Sequence, residues 1–274
     1  MIAQTVCNLI SAMIFNLTDM KISIITVVYN NKDTIQDAID SALSQEYDDL
    51  EYIIVDGASN DGTVEAIKEA VKRYPERSIK FISEKDDGIY DAMNKGIRLS
   101  EGDVVGTLNS DDFYINNDII SVVVNEFKTK GVDSIFADLV YVRADDLDTI
   151  ARYYSSAGFY PKKMAYGWMP AHPTFFVKKK KYEQCGLYKT DYRISADYEL
   201  LARLLVKNRI SYSYIPRVLV KMRTGGASTR NLKSNWILNK EILRACAENG
   251  IKTNIFKVLS KYPAKIFQSI KKPR

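Results

Sequence analysis

The amino-acid sequence predicts an α/β fold: an open, mostly parallel sheet flanked by helices, with a Rossmann-like first half and a less regular second half. Three observations carry this. Apolar, β-branched runs recur through the first half, apolar residues at helical spacing separate them, and a polar segment bearing Gly or Asp follows each run. Strands that alternate with helices imply βαβ units and parallel pairing.

Residues 21–28 (KISIITVV) read as a buried strand. Ile35, Ala38, Ile39, Ala42 and Leu43 then fall on one helical face. Residues 51–55 form the second strand, and Val64, Ile67, Val71 and Tyr74 mark a helix that must end before Pro75. A short strand at 80–83 precedes a helix carrying Ile89, Met93 and Ile97. Residues 103–108 make the fourth strand, Ile119, Val123 and Phe127 a helix, and residues 134–142 a further strand. From 155 to 180 the chain is rich in aromatics, Gly and Pro, with little periodicity. Tyr198, Leu201, Leu204 and Leu205 then mark a short helix, followed by a strand at 211–216.

Composition narrows the class. At 274 residues, 46% hydrophobic and 27% charged, the chain can bury a large core without a staple. Cys7, Cys185 and Cys246 are scattered and show no C-x-x-C spacing, which argues against a disulfide framework or a zinc site and fits a reducing compartment. The net charge of +5 is uneven: residues 178–181 are a lysine run, and residues 252–274 are basic with no acid. In that tail the charges interleave with Ile255, Phe256, Val258, Leu259, Ile266, Phe267 and Ile270. An interfacial membrane helix broken at Pro263 and a surface helix packed on its own domain both fit the pattern. No nucleic-acid motif accompanies the basic tail, and neither a P-loop nor a G-x-G-x-x-G fingerprint is present, so no nucleic-acid partner is expected. No stretch reaches the length needed to cross a bilayer. Residues 1–19 are apolar but lack a basic n-region, and Met20 is read as the true start, with a short membrane-surface anchor as the alternative. The expected organisation is an extension at 1–19, one domain at 20–225, and a helical basic tail at 226–274.

Each of the first four strands ends in a polar segment: TVVYNN at 26–31, VDGASNDGT at 55–63, SEKDDGIYDAMNKG at 83–96, and TLNSDD at 107–112. Parallel strands bring such segments to one edge, where open α/β sheets bind ligands. Singly, each is an ordinary turn or cap. Together they mark a ligand edge. Asp111 and Asp112 are adjacent carboxylates at a strand end. Mg²⁺-type ions are held by one or two carboxylates plus substrate phosphates, so the pair suits a metal–diphosphate.

These segments, with ADYEL at 196–200, resemble those of the family 2 inverting glycosyltransferases of GT-A fold, over roughly residues 20–225. The resemblance implies a GT-A-like sheet with a nucleotide-binding half and an acceptor-facing half. It implies transfer of a sugar, with inversion, from a nucleotide-diphosphate-sugar donor to a glycan or lipid-linked acceptor. The divalent metal would be Mn or Mg, and the setting polysaccharide or cell-surface glycan assembly. The implied location is cytoplasmic, with peripheral contact to the inner membrane face through the basic tail. Carried onto this chain, it makes Asp197 the catalytic base and Asp111 the metal ligand. Thr26, Tyr29, Asp56, Asp86, Lys95, Asn109, Ser110 and Asp112 would hold the donor, with Lys95 near the diphosphate. Asn109, Gly57 and Ala196 depart from the commoner acids at their positions. His172, the sole histidine, is either a structural residue or a ligand to the metal or diphosphate. Tyr166 and Trp168 suit either a sugar face or ordinary packing, and the segment from Arg223 to Ser228 either a lid over the diphosphate or a plain connection. The rival readings are a sugar nucleotidyltransferase, which would carry a Gly-rich loop after the first strand, and a non-catalytic nucleotide-sugar or glycan binder.

Overall fold

A computed structural model describes residues 20–225 and 232–261. The expectations for residues 1–19, for the loop at 226–231 and for the tail beyond 261 lie outside the described residues. Strand β1 (Ile22–Val28) leads to α1 (Ile35–Leu43), β2 (Leu50–Asp56), α2 (Thr63–Val71), β3 (Ser78–Ser83), α3 (Ile89–Leu99) and β4 (Val104–Thr107). These are the expected βαβ units. β1 pairs in parallel with β2 on one side and β4 on the other, and β2 pairs in parallel with β3. The order β3-β2-β1-β4 reverses direction between β1 and β4, which makes that point the topological switch.

Beyond β4 the sheet is mixed. β5 (Asp112–Tyr114), α4 (Ile119–Lys130), β6 (Ser134–Arg143), β7 (Asp146–Tyr154), β8 (Phe176–Lys178), α5 (Lys179–Cys185), α6 (Ala196–Ala202), β9 (Tyr212–Arg223), α7 (Leu232–Glu248) and α8 (Ile255–Leu259) complete the described chain. β8 runs antiparallel between β4 and β6, while β9 lies parallel to β6 and antiparallel to β5. β5 is too short to read from periodicity. The last strand passes the expected end at Pro216: the register jumps from Ala137↔Ile215 to Asp138↔Val218, so Pro216 occupies a bulge and owes no ladder hydrogen bond. The strand then continues to Arg223, which is therefore a strand residue and not the start of a loop.

Side chains of β1 alternate between two cores, as period-two geometry requires. Ile22, Ile24 and Val28 join α1, α2 and α4 on one face. Ile25 and Val27 join α3, α6 and α7 on the other. Within α7, which the sequence places in a basic tail, Ile242, Ala245 and Cys246 are buried in that second core. No helix among the described residues is long and apolar enough to cross a membrane.

At the centre of the sheet, a Cβ on Gly106 would lie 2.5 Å from the ring of Phe176 on β8. Gly106→Ala should overpack this contact and lower stability by about 1–3 kcal/mol, read as a shifted urea midpoint at unchanged slope.

Candidate active site

The loops after β1 and β2 are tied together. Asn30 takes a positive φ of 46°, its amide donates to Ser59 Oγ at 2.8 Å, and its side-chain oxygen accepts from the Asn60 amide at 2.9 Å. The Asn31 amide donates to Thr63 Oγ1 at 2.9 Å. This pairing sets the position of Asp56, the last residue of β2 and fully buried. Asp56 Oδ2 accepts from the Ser59 amide at 3.0 Å and the Ser83 hydroxyl at 2.6 Å. Its Oδ1 is buried with no protein partner. An unsatisfied buried acceptor costs roughly 1–3 kcal/mol, so this atom calls for a donor from outside the chain.

Gly57 follows. A Cβ there would lie 2.5 Å from Asp86 Oδ2 and 3.4 Å from the Tyr29 ring. The missing acid at position 57 thus leaves room for the carboxylate of Asp86, whose Oδ1 accepts from the Gly88 amide at 2.9 Å. Tyr29 is 64% exposed beside them. Tyr29 and Asp86 thus stand together around Gly57, next in the chain to Asp56.

Two members of the expected donor set are placed elsewhere. Thr26 is fully buried within β1, where its hydroxyl accepts from Tyr52 at 2.8 Å, because the alternation of β1 turns it into the core. Lys95 is committed to its own loop: its ammonium donates to the Lys85 carbonyl at 2.7 Å and pairs with Glu84 at 3.0 Å and Asp91 at 3.6 Å. It braces the segment that carries Asp86 and is not a free cation for a diphosphate.

After β4, three neighbours hold the Asn109–Asp112 turn. Ser110 Oγ accepts from the Asn31 side chain at 2.8 Å, and its carbonyl from the Thr34 hydroxyl at 3.0 Å. The Asp111 carbonyl accepts from Arg223 at 2.6 Å, and Arg223 also pairs with Asp37. The two carboxylates of the turn divide. Asp112 opens β5 opposite Met222 and is fully buried. Its Oδ2 accepts from the Asn109 amide at 2.8 Å, and its Oδ1 has no partner. Burial, reinforced by the charge of Asp111, pushes the Asp112 carboxyl well above the usual aspartate range. Asp111 is half-buried, and no hydrogen bond or ion pair engages its carboxylate among the described residues. No group of three His, Cys, Asp or Glu side chains suited to a metal occurs among the described residues. One free carboxylate still fits a cation that takes its other ligands from a diphosphate.

On the second half, Asp197 lies in the first turn of α6. Its Oδ1 accepts from the Tyr198 amide at 2.7 Å, and its Oδ2 sits 3.3 Å from His172 Nδ1. His172 starts a 3₁₀ turn (His172–Thr174) that Pro173 stiffens and Thr174 anchors to the Ala137 carbonyl at 2.9 Å. One ring nitrogen of His172 is engaged by Asp197, which leaves the other for the metal or diphosphate contact expected of it. Burial raises the Asp197 carboxyl above the ordinary aspartate value, and His172 opposes that rise. The pair opens on a cavity of about 200 Å³ whose lining includes Arg152, Tyr154, Trp168 and Met222. Trp168 therefore faces the cavity, whereas Tyr166 lies outside it and is 45% exposed. Met222 lines this cavity and also pairs with Asp112, so one strand joins the two halves of the site. Sequence reasoning missed Arg152, which stacks on Tyr141 with 3.9 Å to the ring centre; no local pattern signals it.

The mount of Asp197 comes from α7. Glu241 accepts backbone hydrogen bonds from Arg193 at 2.6 Å and from Ile194 and Ser195 at 2.9 Å each. Glu241→Ala should leave these three amides without their acceptor, lower stability by about 1–3 kcal/mol, and remove hydrogen-exchange protection at 193–195.

With this geometry in place, comparison with known proteins is informative. A family model described as "Glycosyl transferase family 2" matches residues 23–187. An uncharacterized glycosyltransferase of Mycobacterium tuberculosis is 29% identical over 184 residues, covering 66% of this chain and 68% of that protein. Chondroitin synthase of Escherichia coli is 36% identical over 107 residues, covering 39% of this chain but only 15% of the synthase. Among solved structures, the mannosyltransferase PcManGT from Pyrobaculum calidifontis, in complex with GDP-Man and Mn²⁺, superposes with a TM-score of 0.62. The match is 18% identical and spans 89% of this chain and 70% of that one.

Proposed function

The chain belongs to glycosyl transferase family 2, and on that premise we propose that it moves a sugar, with inversion, from a nucleotide-diphosphate-sugar to a glycan or lipid-linked acceptor in polysaccharide assembly. One observation carries the reading: Asp56 Oδ1 and the Asp111 carboxylate both lack a protein partner, and both stand at the strand edge joined through β9 to the Asp197 cavity. The nucleobase would lie by Tyr29, Asp56 and Asp86, its N–H answering Asp56 Oδ1. Asp111 would hold a divalent cation, Mn²⁺ or Mg²⁺, that neutralises the leaving diphosphate as a Lewis acid. The GDP-Man and Mn²⁺ bound by PcManGT support both parts of that site. The chondroitin synthase match supports a polysaccharide setting.

In the proposed reaction the acceptor hydroxyl enters from the cavity. Its oxygen bonds to the anomeric carbon opposite the diphosphate, the bond from that carbon to the diphosphate oxygen breaks, and the electron pair leaves with the diphosphate. Asp197 takes the hydroxyl proton. A single displacement inverts the centre. His172 holds Asp197 Oδ2 and favours its ionised form, and the aromatic wall of Tyr154 and Trp168 suits the face of an acceptor sugar.

Nucleotide-sugar binding should raise thermal stability by about 2.7 kcal/mol at a hundredfold excess over Kd. The shift should grow with Mn²⁺ and lose its metal-dependent part in Asp111→Ala. No shift with any nucleotide-sugar, in folded protein, would remove the donor site.

Asp197→Asn should lower kcat by roughly 10²–10⁴ while the donor still shifts the melting temperature. Because the base works ionised and burial raises its pKa, kcat/KM should climb with pH along a limb above the ordinary aspartate range. His172→Gln should move that limb further up.

A further inference from the structure

A second groove, of about 550 Å³, lies behind the 3₁₀ turn Pro161–Tyr166. Lys162, Arg209 and Lys252 line it over an apolar floor that includes Val206 and Ile251, and no acidic residue faces it. The surface continues onto α8. There Val258 is buried, but Phe256 is 82% exposed, Leu259 41% and Ile255 39%. Tyr160 and Tyr166 stand half-exposed on the turn itself. The Lys257 ammonium sits 5.8 Å from the centre of the Tyr166 ring, and the Thr253 hydroxyl donates to the Ala165 carbonyl, so turn and helix form one surface.

Leaving a Phe side chain in water forgoes roughly 1.5–3 kcal/mol of burial, and here it does so on a surface whose groove cations, Lys162, Arg209 and Lys252, have no acidic partner among the described residues. Apolar tips, tyrosines and lysines on one face are the chemistry of a bilayer interface, where rings and aliphatic stems enter the headgroup layer and charges meet phosphates. The surface is also continuous with the catalytic cavity. Trp168, two residues past the turn, and Lys261, two residues past α8, both line that cavity.

We infer that the groove and α8 dock the protein on an anionic bilayer, with Phe256 and Leu259 in the interface and Lys162, Arg209 and Lys252 on lipid phosphates. Docking in this way presents the cavity to an acceptor anchored in the same bilayer. The acceptor part of this inference rests on the transferase reading; the docking does not.

The test is flotation of the full chain with two kinds of vesicle, phosphatidylcholine alone and phosphatidylcholine with phosphatidylglycerol. The wild-type chain should float with the anionic vesicles only, and less at high salt. Phe256→Ser should weaken binding about tenfold or more. Lys162→Gln/Arg209→Gln/Lys252→Gln should weaken it about a hundredfold, near fivefold for each charge. Every variant should keep the wild-type melting temperature, which separates lost docking from lost fold. The inference is overturned if the wild-type chain ignores anionic vesicles or binds both kinds equally. It is also overturned if the variants bind like wild type, or if Phe256→Ser instead abolishes a dimer. Vesicle binding without any nucleotide-induced shift would keep the docking surface and reject the donor site.

Discussion

The site depends on one constraint: β1 must hydrogen-bond to two parallel partners at once. Its register with β2 sets Val28 opposite Asp56, and its register with β4 sets Ile25 opposite Thr107. These two registers bring the Asn30–Asn31 corner, Asp56 and the Asn109–Asp112 turn to one edge. A one-residue slip would turn each side chain to the opposite face and separate them. Gly106 is the steric condition for adding the next strand. Without a side chain, β4 admits the Phe176 ring, and β8 can then close the sheet between β4 and β6.

On this frame the chain concentrates acidity that it does not neutralise. Asp56, Asp86, Asp111 and Asp112 gather around the switch point. Arg223 reaches their edge through the Asp111 carbonyl while pairing with Asp37, and Lys95 acts on Asp86 from its own loop. Fold stability does not explain such an arrangement, since a buried carboxylate oxygen without a donor is a cost. It is intelligible if donors and positive charge arrive with a ligand. The orphaned oxygen of Asp56 and the free carboxylate of Asp111 would then be answered by different parts of one molecule.

Much of this was legible in the sequence. Residues 21–108 alternate strand and helix because β1, β2 and β4 are buried on both faces and each helix on one, and such patterns survive without tertiary information. The same pattern pointed to the strand-end segments that carry Asp56, Asp86 and Asp111, whereas Asp197 came from the resemblance of ADYEL at 196–200. What remained hidden depends on direction or on distance along the chain. Thr26 turns inward and Tyr29 outward, a difference set by strand phase. Asp111 and Asp112 are identical as letters, yet β5 buries one and leaves the other available. Lys95 looked like a free cation, but Glu84 and Asp91 become its partners only once the loop folds. β9 seemed to end at Pro216 because a bulge opposite Asp138 is invisible in one strand alone. His172 and Asp197 stand 25 positions apart, and nothing local announces that they meet.

The C-terminal helices bear most directly on how the halves cooperate. α7 buries Ile242, Ala245 and Cys246 against the core that holds α6, and its Glu241 gathers the three amides leading into that helix. Below it, Glu248 pairs with Lys189 at 2.7 Å and accepts from Tyr192 at 2.9 Å, fixing the same approach segment. Asp197 is therefore positioned by residues some 45–50 positions downstream of it. α8 packs next to α7, and its continuation supplies Lys261 to the cavity wall. The segment that reads as a basic appendage is the structural support of the stretch that carries Asp197, and whatever α8 docks against stands within reach of the same cavity.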